Sequence, residues 1–172
     1  MLTIENSDEL KQLIQSQEPF WVIGKGSNSL LNPQATLPKL VKLSPDISPV
    51  FVEGACLHVN AGTTIKKLIT LSQQAGLSGL EFVAGVPASL GGMITMNFGC
   101  WGHEIADVIQ SVTLLDETGK TQVLSARELG FAYRSSHIQK KRWVVLSAVL
   151  KLAQADPETV KKRCKHVSRN VS

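Results

Sequence analysis

Between Gly79 and Gly102 the chain carries six glycines and one charged residue, Glu81, over a stretch too long for a turn. Few side chains cover such a backbone, and every buried N–H and C=O in it needs a partner. Two readings are open. The stretch either packs as an irregular loop under a sheet, or it lends its polar groups to a large polar cofactor.

The flanking sequence is ordinary for a soluble globular protein. Of 172 residues, 43% are hydrophobic and 19% charged, enough apolar mass for a core without disulfides. Apolar runs are strand-sized, so no membrane span is expected. The N-terminus has neither a basic flank nor a long apolar run, so it does not read as a secretory signal. Cys56, Cys100 and Cys164 are scattered, and the four histidines have no metal-ligand spacing to them. Reduced thiols, a cytoplasmic location and no metal site are expected.

Before the glycine-rich stretch, the pattern is helix and strand. Ser7-Asp8-Glu9 predicts a helix start capped by Ser7, with Leu10, Leu13 and Ile14 on one apolar face. Phe20 to Ile23 reads as a short buried strand stopping at Gly24. Pro33, Pro38, Pro45 and Pro49 break the next stretch into loop and short strands. From Cys56 to Ala61 the residues alternate, with Leu57, Val59 and Ala61 on one face. Gly62-Thr63-Thr64 then leads into a helix with Ile65, Leu68 and Ile69 inward.

After it, Val108–Leu115 and Thr121–Leu124 read as strands joined by the turn Asp116-Glu117-Thr118-Gly119. A last strand over Trp143–Leu152 would keep Val144, Leu146, Ala148, Leu150 and Leu152 on one face. Asp156-Pro157-Glu158 predicts another helix start. Its stripe of Val160, Cys164 and Val167 needs a surface to pack on, either this core or a further domain, and it could also dock a partner chain. The fold class is α+β. Residues 1–75 are expected to form one lobe, 76–153 a second, and 154–172 a helix opening a further domain.

Two shorter motifs carry chemistry. Gly24-Lys25-Gly26-Ser27-Asn28 comes directly after a strand, where glycines let backbone N–H groups approach a phosphate and Ser27 and Asn28 add donors. It fails as a Rossmann fingerprint: Ser29 stands where a third glycine belongs, and Pro33 lies where a helix should run. A tight turn is the bland alternative. In Phe131-Ala132-Tyr133-Arg134-Ser135-Ser136, an arginine beside a phenol and two serines suits an anion or a developing oxyanion.

Taken in order, the segments 24–28, 79–102 and 129–136 resemble the UDP-N-acetylenolpyruvoylglucosamine reductase family, over about residues 7 to 152. The resemblance implies a vanillyl-alcohol-oxidase/PCMH-type FAD-binding fold, with two small α+β lobes clasping FAD. It puts Gly24, Lys25, Gly26, Ser27 and Asn28 at the pyrophosphate, and Pro87, Ser89, Gly91, Gly92, Asn97 and Gly99 along the flavin, with Gly62 and Thr63 close by. It implies NADPH as reductant and UDP-N-acetylglucosamine enolpyruvate as substrate, with Arg134 stabilising the charge that hydride addition creates and Tyr133 helping to bind. The family's serine proton donor and glutamate belong to a third lobe, expected beyond Ser172; Ser168 and Ser172 are in the wrong context to replace the serine. Lys25 stands where glycine or an acid is common, and Ala88 replaces a glycine. A non-catalytic flavin-binding or partner-binding relative is the alternative.

Charge narrows the partners. Net charge is +4, with five Lys or Arg between Lys161 and Arg169. No aromatic residues interleave with them, so a solvated helix face is expected and nucleic acid is not.

Overall fold

The computed structural model describes residues 1–169 except 31, 33 and 35. Pro33 and Ser172 therefore lie outside the described residues. The chain runs β1 (Leu2–Ile4), α1 (Ser7–Gln15), β2 (Phe20–Val22), β3 (Lys39–Leu43), β4 (Phe51–Glu53), β5 (Cys56–Asn60) and α2 (Ile65–Gln74). After β6 (Leu77–Ser78) come α3 (Leu90–Thr95), β7 (Gly99–Cys100), β8 (His103–Glu104), β9 (Ile109–Leu115) and β10 (Thr121–Ser125). The last elements are α4 (His137–Lys141), β11 (Val144–Lys151), β12 (Ala153–Gln154) and α5 (Pro157–Arg169).

Two sheets carry the architecture. A small parallel sheet has the order β1-β3-β2, and a five-stranded antiparallel sheet the order β10-β9-β11-β5-β4. Strands from both sides of residue 75 share the larger sheet, because β4 and β5 hydrogen-bond into it rather than into the first. The larger core lies against that sheet, where Leu57, Val59, Leu114, Ala148 and Leu150 join buried residues of α2, α3 and α5 in one cluster. A smaller core of Ile4, Leu10, Leu13, Val41, Leu115, Val144 and Leu146 joins the two sheets.

Helix α1 is capped one residue earlier than the sequence suggests. Asn6, not Ser7, is the cap, and its side chain accepts from the N–H groups of Asp8 and Glu9 at 3.1 and 3.0 Å. Asn and Ser cap equally well, so local preference cannot choose between neighbours. Helix α2 behaves as expected, capped by Thr64 with Ile65, Leu68 and Ile69 buried. Asp156 Oδ2 accepts from Thr159 N at 2.9 Å at the head of α5.

Two elements depart from expectation. Strand β2 is not buried. It is an edge, and Trp21 is 50% exposed. Its Phe20 and Val22 share the face of Val41, while Trp21 points the other way. Strand β11 does not keep one apolar face. The register shifts between Val145 and Ser147, so Val144 and Leu146 join the smaller core while Ala148, Leu150 and Leu152 join the larger. An extra residue in a strand flips every side chain beyond it. The stripe on α5 takes the first of the options open to it: Val160 and Cys164 are buried in this chain's own core, with Val167 packed against it. That stripe offers no docking surface for a partner chain.

Among the described residues no helix is long and apolar enough to cross a membrane.

Candidate functional site

Between the small sheet, the glycine-rich segment and α4 lies an open cleft of about 1380 Å³. Its walls include Gly24 to Ser29, Lys42 and Gly62 on one side. Pro87, Ser89, Gly91, Gly92, Phe98 and Arg134 face them. Thr63, Asn97, Gly99 and Tyr133 are not in its lining.

The loop 24–28 enters the cleft straight from β2, whose continuation Ile23 still donates to Val41 O at 2.8 Å. At Gly26 the backbone turns left-handed (φ +78°), with open space where a Cβ would stand. Ser29 N closes the turn onto Gly26 O at 3.1 Å. Among the described residues, the N–H groups of Gly24, Lys25, Gly26, Ser27 and Asn28 have no acceptor. Five consecutive free donors beside a cleft fit an anionic diphosphate.

The glycine-rich segment has the opposite character. Its backbone is largely satisfied from within: Val83 N donates to Leu80 O, Ala84 N to Glu81 O, Met93 N to Ser89 O and Phe98 N to Met93 O, all at 2.9–3.1 Å. Leu90 N and Gly91 N reach Thr63 O and Ala61 O across the floor of the cleft. The glycines allow close packing. A Cβ at Gly91 would stand 2.9 Å from Ala61 Cβ, and one at Gly99 would stand 2.7 Å from His103 O. Gly62 is equally confined, since a Cβ there would meet Leu43 O at 2.7 Å and Ser44 O closer still.

Asn97 and Thr63 are fully buried and committed to the protein. Asn97 Nδ2 donates to Glu104 Oε2 at 2.9 Å and Ala132 O at 3.1 Å, and its Oδ1 accepts from Ala106 N at 3.3 Å. Thr63 Oγ1 donates to Asn60 Oδ1 at 3.0 Å. Both shape the walls from behind.

Tyr133 and Arg134 sit at the tip of a tight turn closed by two hydrogen bonds between Ala132 and Ser135, each 3.0 Å. Below it Ser136 Oγ donates to Thr95 O at 2.5 Å and fixes the turn to α3. Arg134 has a left-handed backbone (φ +53°). Its guanidinium lies 4.9 Å from the Phe98 ring centre and donates to Gly99 O at 3.1 Å. Gly99, outside the lining, meets the site through that carbonyl. Tyr133 is 84% exposed and clear of the cleft. Close by, burial pushes the Cys100 thiol above its ordinary range, although the Arg134 charge pulls the other way.

Charge in the cleft is unbalanced in a way that sequence reading missed. Its three carboxylates are engaged. Glu18 holds Lys39 at 2.5 Å, Glu117 accepts from the Trp143 indole at 2.5 Å, and Asp116 accepts from Thr118, Lys120 N and Gln122. Those bonds, led by the Thr118 hydroxyl, hold the Asp116 carboxyl well below the usual range. Lys25, Lys42 and Arg142 line the same cleft with no partner for their charge among the described residues. Lys42 and Arg142 come from β3 and the end of α4, and no local motif marks either as a site residue.

A mixed α+β frame around a cleft with free backbone donors and unpaired cations suits an anionic cofactor. Residues 3–125 match the FAD binding domain family, and the chain belongs to that family. Its fold is the PCMH-type FAD-binding fold. Quinoline 2-oxidoreductase from Pseudomonas putida 86 superposes over 88% of this chain and 58% of that one, with a TM-score of 0.67 at 14% identity. Much closer is the UDP-N-acetylenolpyruvylglucosamine reductase of Thermus caldophilus. It has a TM-score of 0.86 and 34% identity, covering 98% of this chain and 61% of that one. The reductase of Caldanaerobacter subterraneus is 36% identical over 94% of this chain and 55% of its own length. That of Bacillus subtilis is 34% identical over 92% and 53%. The chain spans about half the length of these curated relatives.

Proposed function

We propose that the chain is the FAD-holding part of an NADPH-dependent UDP-N-acetylenolpyruvoylglucosamine reductase, acting on UDP-N-acetylglucosamine enolpyruvate in cytoplasmic peptidoglycan precursor synthesis. The observation that carries this is the loop 24–28, whose free donors face no acceptor among the described residues, in a chain of the FAD binding domain family.

When bound, FAD would supply the hydride relay between NADPH and the substrate alkene. In this reading the N–H groups of Gly24 to Asn28 hold the pyrophosphate, with the ammonium groups of Lys25 and Lys42 offsetting its charge. Pro87, Ser89, Gly91 and Gly92 form the wall along the flavin. Arg134 draws negative charge toward its guanidinium as the enolpyruvyl carboxylate becomes electron-rich, a task suited to a planar donor that stays protonated. Asn97, Thr63 and Gly99 position these groups, and Tyr133 awaits substrate at the outer edge.

The test is the visible spectrum of the chain after incubation with FAD and desalting. A retained flavin band supports the reading, and a colourless protein removes it. Arg134→Ala should keep the band, because the arginine faces substrate; loss of flavin in that variant would reassign it to cofactor binding.

A further inference from the structure

A second groove of about 470 Å³ is lined by residues 84–88, α2 and α5, and shares Lys25, Val86, Pro87 and Ala88 with the first cleft. Three exposed lysines line it from three separate parts of the chain: Lys25 from the loop after β2, Lys66 from α2 and Lys165 from α5. None has an ion-pair or hydrogen-bond partner among the described residues, whereas Lys11, Lys39 and Lys161 do. Among the described residues no carboxylate lines the groove. The acid that acts on its Cys164 is Glu81, whose oxygens are taken by Ser78 Oγ, Gly79 N and Arg163. Its floor is apolar, formed in part by Ile69, Val86 and Pro87.

Like charges gathered without a counter-charge repel one another, and a bound anion relieves that repulsion. Three lysines of uncompensated charge around one groove suit a di- or triphosphate, whose oxygens can take several charge-assisted bonds at once. Apolar side chains beside them suit a heterocyclic base. We propose that this groove is a second binding site, separate from the flavin cleft, for a nucleoside di- or triphosphate. Lys25 belongs to both sites, so an occupant here draws on a cation that the flavin loop also uses, and the two ligands weaken each other.

The test titrates FAD-saturated chain with ADP and with inorganic pyrophosphate by calorimetry, on the wild type and on Lys66→Gln/Lys165→Gln. Both lysines are exposed, so the double variant should fold and keep its flavin band. Expected are one ADP per chain, tighter binding of ADP than of pyrophosphate, and a loss of about tenfold or more in the variant. Absence of saturable ADP binding, or equal binding by the variant, overturns the site. Pyrophosphate binding as tightly as ADP overturns the nucleotide assignment. If FAD blocks ADP binding completely, the groove is not a separate site. A wild-type chain that holds no FAD sinks the flavin reading alone, because the lysine variant still separates this groove from the cleft in an ADP titration of the apo chain.

Discussion

The loop 24–28 and the segment 84–100 border one cleft, and both are built around glycine, yet they use it differently. In the loop, Gly26 takes a left-handed turn into open space, and the neighbouring N–H groups are left free. In the segment, Gly91 and Gly99 lie against Ala61 and His103 O, and the backbone bonds mostly to itself. Glycine gives reach toward a ligand in one place and close packing in the other. A substitution should therefore damage binding in the loop and stability in the packed walls.

The largest effect is expected behind the loop, at Gly62. Gly62→Ala puts a methyl group against the carbonyls of Leu43 and Ser44, which belong to backbone and cannot swing aside. A loss of about 3 kcal/mol in urea denaturation is expected. A stable Gly62→Ala would mean that this wall gives way more easily than its packing implies. Next is Asn97→Ala, which strands Ala106 N and removes donors from Glu104 and Ala132 O in a buried site. About 2 kcal/mol of stability should go, with FAD affinity per folded molecule unchanged; a selective loss of FAD would move Asn97 from the packed region to the binding one.

Gly26→Ala sharpens the contrast from the other side. Nothing crowds the new methyl, so only the left-handed backbone resists it, at about 1 kcal/mol. Retention of FAD should fall by more than that small strain explains, as seen by desalting at a temperature where the variant is folded. Unchanged retention would turn the loop into a simple turn.

The smallest effect concerns Asp116, which lines the cleft but commits its oxygens to the β9–β10 hairpin. Its carboxyl is held below the usual range by those bonds. A group depressed in the folded state stabilises above the ordinary carboxylate range, and its contribution is lost as pH falls through and below that range. Acid denaturation should begin earlier for wild type than expected from its other acids, and Asp116→Asn should flatten that part of the profile. An identical acid profile in the two proteins would remove the hairpin role.

Much of the fold was legible because its signals are local. Alternation marked β5, the Asp116–Gly119 turn marked the β9–β10 hairpin, and Asp156-Pro157 marked the start of α5. The site was legible only in part. The sequence marked both 24–28 and 79–102 as special, but left open whether the backbone of the longer stretch serves packing or a cofactor; most of its demand is met internally.

What the sequence determined alone, then, is whatever depends on residues near in the chain: caps, turns, apolar periods, and the glycines that permit unusual backbone. Tertiary structure decided which donors stay free, that a bulge at Leu146 splits β11 between two cores, and that Trp21 stands on an open edge. It also brought Lys25, Lys66 and Lys165 to one groove. Burial, register and charge balance are properties of neighbours in space, and residues far apart along a chain become neighbours only when it folds.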